Sequence, residues 1–129
     1  MYGSLDISTS GMIAQRTRME VTASNIANAN TLENAHGEYN PYRRRAAMLA
    51  PSESGGVEVL DIQIEQDSLR KAYRPGHKHA DADGNILVPD IDPTIEWVNG
   101  TQASRAYEAN IAAAEATKNM LAQSLRLLA

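Results

Sequence analysis

The residues best suited to bind a metal ion lie in one short polar segment, Pro75 to Gly84. Counted from His79, four residues fall at positions three, five, six and twelve of a calcium-binding loop: Asp81, Asp83, Gly84 and Asp90. The match is incomplete, because position one is His instead of Asp and position twelve is Asp instead of the longer Glu. His77 and His79 could ligate a transition metal, but no Cys or third His completes a tetrahedral set. We therefore predict a structured turn here, with no metal site and no cofactor.

The other reactive side chains do not form a recognisable catalytic set. The sequence contains no glycine-rich phosphate loop after a strand, no GxSxG motif and no HExxH motif. Its three histidines, His36, His77 and His79, all fall in polar segments that we assign to loops. Helical spacing places no pair of acidic residues together for general acid–base catalysis. We predict no catalytic residues and no enzymatic activity.

The basic triplet Arg43-Arg44-Arg45 has residues that could contact phosphate groups. However, consecutive residues of a strand point to opposite faces, and no aromatic residues interleave with these arginines for base stacking. The whole chain carries a formal charge of −4, so it repels nucleic acid and anionic membranes. We therefore predict no nucleic-acid partner.

Length and composition restrict the chain further. Its 129 residues leave room for one modest domain, or for a small domain with helical extensions. The absence of cysteine excludes disulfides and thiolate zinc sites. No apolar run approaches the roughly 20 residues that a transmembrane helix needs. The first residues do not form a basic-then-apolar signal peptide. We predict no direct membrane insertion, and any export must proceed without a cleaved signal peptide.

The clearest pattern in the sequence is a heptad repeat in the stretch from Thr101 to Leu128, which is free of Gly and Pro. Gaps of four and three alternate along a coiled-coil seam formed by Tyr107, Ile111, Ala114, Lys118, Leu121, Leu125 and Leu128. A helix of roughly 28 residues, about 40 Å long, extends beyond any core that so short a chain can build. We predict that this seam packs on another helix, either within the chain or on a partner.

The N-terminal segment carries half of a comparable seam. Apolar residues recur every seven positions at Leu5, Met12, Met19 and Ile26. We predict a helix from Asp6 or Ser8 to about Asn28, followed by a loop. The asparagines Asn25, Asn28 and Asn30 predict a C-terminal cap followed by a loop. Alternatively, Asn25 and Asn28 share one helical face and supply amide hydrogen bonds to a neighbouring chain.

Alternating patterns between the two helices predict a small β region. Predicted strands cover Tyr42 to Leu49, Val57 to Glu65, Arg70 to Arg74 and residues 86–88, with a bulge near Val59 and Leu60. Polar segments rich in Gly, Ser and Pro separate them as loops.

A second helical signal begins at Pro93, a residue type that suits the first turn of a helix. We expect Trp97 and Val98 to anchor this segment in apolar surroundings and Gly100 to bend it before the long seam. The predicted fold class is α+β, with long N- and C-terminal helices paired as a coiled coil and a small β-rich middle region. The predicted boundaries are 1–31, 32–92 and 93–129.

Several segments of the sequence resemble bacterial flagellar basal-body rod proteins. The first, from Leu5 to Thr31, contains LDISTSGM, QR and NIANANT, and the second is ASRAYEAN at 103–110. Between them, YRR at 42–44, PGH at 75–77, AD at 80–81 and DG at 83–84 narrow the resemblance to proximal-rod members of this family. The resemblance spans nearly the whole chain, in order and at matching spacing.

This resemblance implies a structural protein whose terminal helices pair as the inner layer of a tube, with the β-rich portion outside. It implies export by the flagellar type III apparatus without a cleaved signal peptide. It also implies assembly with other rod proteins and copies of itself into the periplasmic rod of the basal body, a drive shaft that transmits torque.

We therefore predict a subunit interface formed by the terminal helices. The heptad positions and the residues carried over from the two matching segments make up this interface: Leu5, Met12, Met19, Asn25, Ile26, Asn28, Asn30, Ser104, Arg105, Tyr107, Asn110, Ile111, Leu121, Leu125 and Leu128. The alternative is a soluble regulatory or chaperone-like module that engages one partner helix with its C-terminal helix. That alternative predicts a stable one-to-one complex in the cytoplasm, with termini that fold without a polymer.

Overall fold

A computed structural model describes residues 2–129 as two long helices that are separated in sequence by two β-hairpins. The elements in chain order are α1 (Tyr2–Ala27), β1 (Arg45–Pro51), β2 (Val57–Ile64), β3 (Leu69–Tyr73), β4 (Asn85–Pro89) and α2 (Pro93–Leu128). This arrangement confirms the predicted α+β class and the position of the β region between the helices.

Helix α1 begins at Tyr2, about one turn before the predicted start, and ends at Ala27, one residue from the predicted end. Its last turn is closed by Asn28, whose side-chain amide donates to the Ser24 carbonyl at 2.9 Å and accepts from the Thr31 hydroxyl at 3.1 Å. Asn28 therefore caps the helix, as one of the two interpretations of the asparagine cluster predicts.

Helix α2 is continuous from Pro93 to Leu128. The Asp92 side chain caps its start by accepting from the backbone N–H of Thr94 at 2.9 Å, and proline occupies the first turn. Gly100, where a bend was predicted, lies inside this continuous helix and packs closely on α1, so the bend stays a prediction. A Cβ added to Gly100 would lie 3.2 Å from Thr22 Oγ1, so glycine here permits close approach of the helices.

The first hairpin pairs β1 and β2 in antiparallel fashion. Met48 pairs with Asp61 and Leu49 with Val59, so Leu60 is the extra residue of the predicted bulge. Strand β1 starts three residues later than predicted. The backbone N–H of Arg44 donates to Ser68 Oγ at 2.8 Å, so side-chain contacts hold this stretch before ladder pairing begins.

The second hairpin pairs β3 and β4, each within one residue of its predicted strand. Tyr39, in the loop after α1, holds this hairpin by its hydroxyl. That hydroxyl donates to the Leu87 carbonyl at 2.6 Å and accepts from the Leu87 N–H at 2.9 Å. The loop and the hairpin therefore form one packed unit beside the helix pair.

The described residues bury few apolar side chains. Those with less than a tenth of their surface exposed are Ala14, Val21, Ile86, Val88 and Ala103. Three of them lie between α1 and α2, and the other two lie on β4. The first hairpin lies on α1, where the Val57 N–H donates to Ser10 Oγ at 3.1 Å. The core is therefore thin and extends along the helix pair.

Candidate subunit interface

The two terminal helices pack antiparallel through small side chains. A Cβ added to Gly11 would lie 2.7 Å from Asn110 Nδ2, so these two residues face each other. Farther along the pair, Thr22 faces Gly100. The positions buried between the helices are mostly small: Ser8, Gly11, Ala14, Val21, Ala103 and Thr117. Small residues let helix backbones approach closely, so the pair needs no large apolar side chains at its centre.

We call the line of α2 residues that faces α1 the helix seam, and it differs from the predicted one. Tyr107, Ala114 and Leu121 are at least half-buried, as predicted. Between them the seam passes through Asn110 and Thr117, one residue before the predicted Ile111 and Lys118. Lys118 is exposed, so its ammonium group stays in solvent.

The predicted apolar positions of α1 flank this contact. Ala14 and Val21 are buried between the helices, whereas four predicted residues are half-buried beside them: Leu5, Met12, Met19 and Ile26. Met19 and Ile26 line a groove of about 370 Å³ that runs along one side of the helix pair.

Trp97 lines the same groove and is 71% exposed. The predicted apolar anchor at Trp97 and Val98 is therefore wrong, because both side chains point away from the helix contact. Ser104, from the predicted interface, also lines the groove. The groove thus combines residues of both terminal helices and leaves a large aromatic ring in solvent.

The end of α2 is apolar and has no helix beside it. The pairing of Gly11 with Asn110 and of Thr22 with Gly100 implies that residues 120–128 extend past Tyr2, the first residue of α1. Large apolar side chains on this extension are 54–87% exposed: Met120, Leu125, Leu127 and Leu128. Leu125 and Leu128, which the heptad pattern assigns to a seam, have no partner among the described residues.

Asn25 lies at the other end of the helix pair and is fully buried. Its Nδ2 donates to the Arg45 carbonyl at 2.8 Å and to Glu96 Oε2 at 3.0 Å. Its Oδ1 accepts from the Arg45 N–H at 3.0 Å and from the Tyr42 hydroxyl at 3.1 Å. Since the amide has two donors and two acceptor positions, its capacity is used within the chain. We therefore remove Asn25 from the predicted interface.

Glu96 is 1% exposed and completes what we call the polar cluster: Asn25, Tyr42, Arg44, Glu65 and Glu96. Arg44 Nε lies 2.5 Å from Glu96 Oε1, and Arg44 Nη1 lies 2.7 Å from Glu65 Oε1. Burial alone would lower the pKa of Arg44, but the hydrogen bonds and charges of Glu96 and then Glu65 outweigh it and raise the pKa. Burial raises the pKa of Tyr42, which keeps its hydroxyl protonated as a donor.

The polar cluster connects α1, β1 and α2, and sequence reasoning missed it. Arg44 was assigned to a basic triplet at the start of a strand, and Glu96 to the first turn of a helix. Arg44 and Glu96 are 52 positions apart, and Asn25 and Glu96 are 71 positions apart, so no local spacing predicts these contacts. The only hint of this cluster in the sequence is a pair of separate features. One is a basic residue in a predicted strand, and the other is an acidic residue in an otherwise apolar helix start.

The other predicted interface residues lie near the surface. Asn30 and Arg105 are exposed, as are Leu125 and Leu128. The half-buried ones are Leu5, Met12, Met19, Ile26, Asn28, Ser104, Tyr107, Asn110, Ile111 and Leu121.

The first hairpin adds an exposed apolar surface that the predicted interface omitted. Leu60 is 68% exposed, and Ile62 and Ile64 are each 44% exposed. On the partner strand, Met48 is 43% and Leu49 36% exposed. The alternation in β2 was read as a strand signal, and these apolar side chains stay partly exposed although the hairpin contacts α1. It is therefore a further candidate contact surface.

The segment tested for metal binding forms a structured turn. Asp81 Oδ1 accepts from the N–H groups of Asp83 and Asn85, each at 2.9 Å. The His79 ring stacks on Tyr39, with ring centroids 4.6 Å apart. Across residues 2–129, no three His, Asp or Glu side chains converge as metal ligands do. Neither described helix has an apolar stretch long enough to cross a bilayer.

Comparison with known proteins bears on what these surfaces do. A family model described as "Flagella basal body rod protein" matches residues 5–32. The flagellar basal-body rod protein FlgC of Bacillus subtilis (strain 168) is 35% identical, and the alignment covers 98% of this chain and 97% of that protein. The chain belongs to the FlgC family of flagellar basal-body rod proteins. FlgC of Salmonella typhimurium is 37% identical over 95% of this chain and 93% of its own length. FlgC of Borreliella burgdorferi is 29% identical over 99% of this chain and 97% of its own length.

Membership in the FlgC family confirms the resemblance seen in the sequence. It makes the chain a structural protein of the flagellar basal-body rod and not an enzyme. It also places the chain in the basal body, in an assembly with other rod components. Nothing in the structure or in these comparisons favours the alternative of a soluble helix-binding module.

Proposed function

We propose that this chain is a subunit of the proximal rod, the part of the axial drive shaft that transmits torque across the periplasm. Its terminal helices, in 1–31 and 93–129, contact copies of itself and other rod proteins in a helical tube. The middle region, 32–92, faces outward and makes further contacts along the rod. In this proposal the function is mechanical, and each subunit contact carries load.

The observation that carries the proposal is the placement of the large apolar side chains. Small residues form much of the contact between α1 and α2, and several leucines and methionines of these helices stay largely exposed. The extension at 120–128 is the clearest case, since it has no helix beside it. Contiguous exposed apolar surface of this kind is typical of a protein that buries it against partners.

The exposed area of the chain supports the same conclusion. Its accessible surface is 8782 Å². A compact monomer of this mass is expected to expose about 6,700 Å². The difference is comparable in size to a standard protein–protein interface of roughly 1,600 Å². The chain therefore exposes enough surface to contact neighbouring subunits.

We further infer that the chain is exported by the flagellar type III apparatus without a cleaved signal peptide. We infer this route because the sequence resembles rod proteins that are exported in this way. The absence of a nucleic-acid partner follows from the formal charge of −4. That the chain does not insert into the membrane stays a prediction from its composition.

The decisive experiment replaces Leu125 by aspartate in a flagellated strain that lacks its own copy of this protein. Leu125 is 67% exposed in the single chain, so the substitution should leave the fold intact. In a rod the same carboxylate would be buried without a partner, at a cost of several kcal/mol. We expect loss of swimming in soft agar and loss of basal bodies that contain a rod.

The matched control is Gln123→Asp, which adds the same charge to an exposed position on the other side of the same helical turn. It should leave motility within about twofold of the parent, as exposed substitutions usually have small effects. Circular dichroism of both purified chains checks their folding. Normal rods and full motility in the Leu125→Asp strain would contradict the proposal.

A further inference from the structure

A polar cleft of about 490 Å³ opens where α1 ends, away from the contact between the two helices. It is lined by the last turn of α1, by the loop that follows and by the facing ends of β1 and β2. Its side chains include two arginines, Arg43 and Arg45, together with the amides of Asn28, Asn34 and Gln66. Most of these groups can donate hydrogen bonds, so the cleft suits an acceptor.

The two arginines of this cleft lack acidic partners. Among residues 2–129, no carboxylate oxygen lies within 4.0 Å of either guanidinium. Arg43 Nε is out of contact with solvent and has no acceptor, while its Nη1 reaches Asn40 Oδ1 at 3.3 Å. The Arg45 guanidinium lies 5.3 Å from the centre of the Tyr42 ring. Arg44, between them in sequence, is by contrast paired with two carboxylates.

The one acidic residue that lines the cleft is already neutralised. Glu33 Oε1 forms an ion pair with Lys78 and lies 3.2 Å from His79 Nε2. The hydrogen bond from Lys78, and then that from His79, lowers the pKa of Glu33. The Glu33 carboxylate is thus held by Lys78 and His79 of the second hairpin and not by the arginines. Two positive charges remain uncompensated in a chain whose formal charge is −4.

We propose that this cleft binds an aspartate or glutamate side chain of a neighbouring rod subunit, with Arg43 and Arg45 as the donors. The inference rests on the proposed function, because it takes the partner from the same assembly. A guanidinium presents paired N–H groups that match the two oxygens of a carboxylate.

A subunit of the same kind is well suited to supply this carboxylate. The chain has 16 acidic residues and 12 basic ones, so the surface of a second copy or of a similar rod protein offers acids in excess. The cleft also lies beside the end of α1, so it continues the surface of the terminal helices that we assign to assembly. Complementary charge at such a position selects the partner and fixes its register.

Zero-length cross-linking tests the proposal directly. Arg43→Lys and Arg45→Lys variants are incorporated separately into basal bodies, which are then treated with a water-soluble carbodiimide. This reagent joins a lysine amine to a carboxylate that is in contact with it. We expect mass spectrometry to find position 43 or 45 joined to an aspartate or glutamate of another rod subunit. Arg70→Lys, at an exposed position of β3 outside the cleft, is the matched control and should give no such product.

Two results would overturn the inference. One is a cross-link only to an acid of the same chain, such as Glu33, and the other is the absence of any cross-link in basal bodies that contain the variants. Recovery of assembled basal bodies is scored separately. The proposed function can therefore stand while this inference fails.

A second pair of variants tests the same inference without requiring a lysine side chain to reach the partner carboxylate. The double change Arg43→Gln with Arg45→Gln removes both charges and should lower incorporation into basal bodies on the order of tenfold. Arg70→Gln should leave incorporation unchanged. Circular dichroism confirms that the purified double variant is folded. Normal incorporation of the folded double variant would also overturn the proposal.

Discussion

The hydrogen bond between Asn25 and Glu96 joins residues that stand 71 positions apart in the sequence. A carboxylate that is 1% exposed is tolerated because Arg44 and Asn25 both donate to it. The Asn25 amide also holds the backbone of Arg45 where β1 begins. One amide therefore fixes the end of α1 against α2 and against the first hairpin.

The substitution Asn25→Ala tests this role. It leaves Glu96 and both backbone groups of Arg45 short of a partner in a buried site. We expect the free energy of unfolding to fall by about 2–4 kcal/mol. Thermal or urea unfolding of the purified chain, followed by circular dichroism, measures the change.

Asn30→Ala is the matched control for Asn25→Ala, because Asn30 is an exposed asparagine just beyond the same helix. Its effect should stay within about 0.5 kcal/mol. Equal effects of the two substitutions would show that the buried amide contributes little to the fold.

The packing of α1 against α2 depends on small residues where the two helices meet. A central glycine costs a helix about 1 kcal/mol relative to alanine, yet Gly11 and Gly100 both lie inside helices. Each stands where the other helix comes close, at Asn110 and Thr22. Room for the facing Asn110 and Thr22 side chains is therefore what these two glycines provide.

Gly11→Val is expected to separate the helices. Its Cβ would overlap the Asn110 side chain, so we expect a loss of about 1–3 kcal/mol in unfolding free energy. Asn110→Ala in the same chain should recover part of that loss, which a double-mutant cycle measures.

Gly3→Val provides the comparison for the Gly11 substitution, since Gly3 lies in the same helix with no atom within 4 Å of an added Cβ. It should change the stability by less than about 0.5 kcal/mol. If Gly11→Val were as mild as Gly3→Val, close packing at Gly11 would be of no consequence.

The whole molecule combines a thin core with an extended helix pair. The polar cluster supports the end of the pair near Asn25, and the first hairpin lies along α1 as far as Ser10. Residues 120–128, by contrast, have no helix beside them within the described part of the chain. Stability should therefore decline along the pair from the cluster toward the C-terminus of α2. We expect the end of α2 to become fully ordered only when neighbouring subunits cover it.

Amide hydrogen exchange measures this gradient. In the purified chain we expect residues 20–27 and 96–107 to exchange slowest and residues 120–128 to exchange fastest. In isolated basal bodies the segment 120–128 should become protected, because partners cover it. Protection of that segment already in the purified chain would contradict an assembly role for the end of α2.

The sequence by itself determined the type and order of the elements. The alternating patterns, the helix start at Pro93 and the bulge near Val59 and Leu60 are local signals, and the structure confirms each of them. The heptad pattern predicted a long C-terminal helix, which the structure confirms, but not every residue that faces α1. Family membership was also readable, because the motifs at the two ends are contiguous in the sequence. The interface residues that lie outside the helix contact stay predictions.

Tertiary structure alone decided which face of each helix is internal. The predicted seam passed through Ile111 and Lys118, but Gly11 faces Asn110 and Thr117 is buried, each one residue earlier. It also decided that Asn25 is internal and Trp97 external, since both depend on partners far away in the sequence. The physical reason is that close packing depends on the shapes of both surfaces, whereas a periodic pattern reports the hydrophobicity of one.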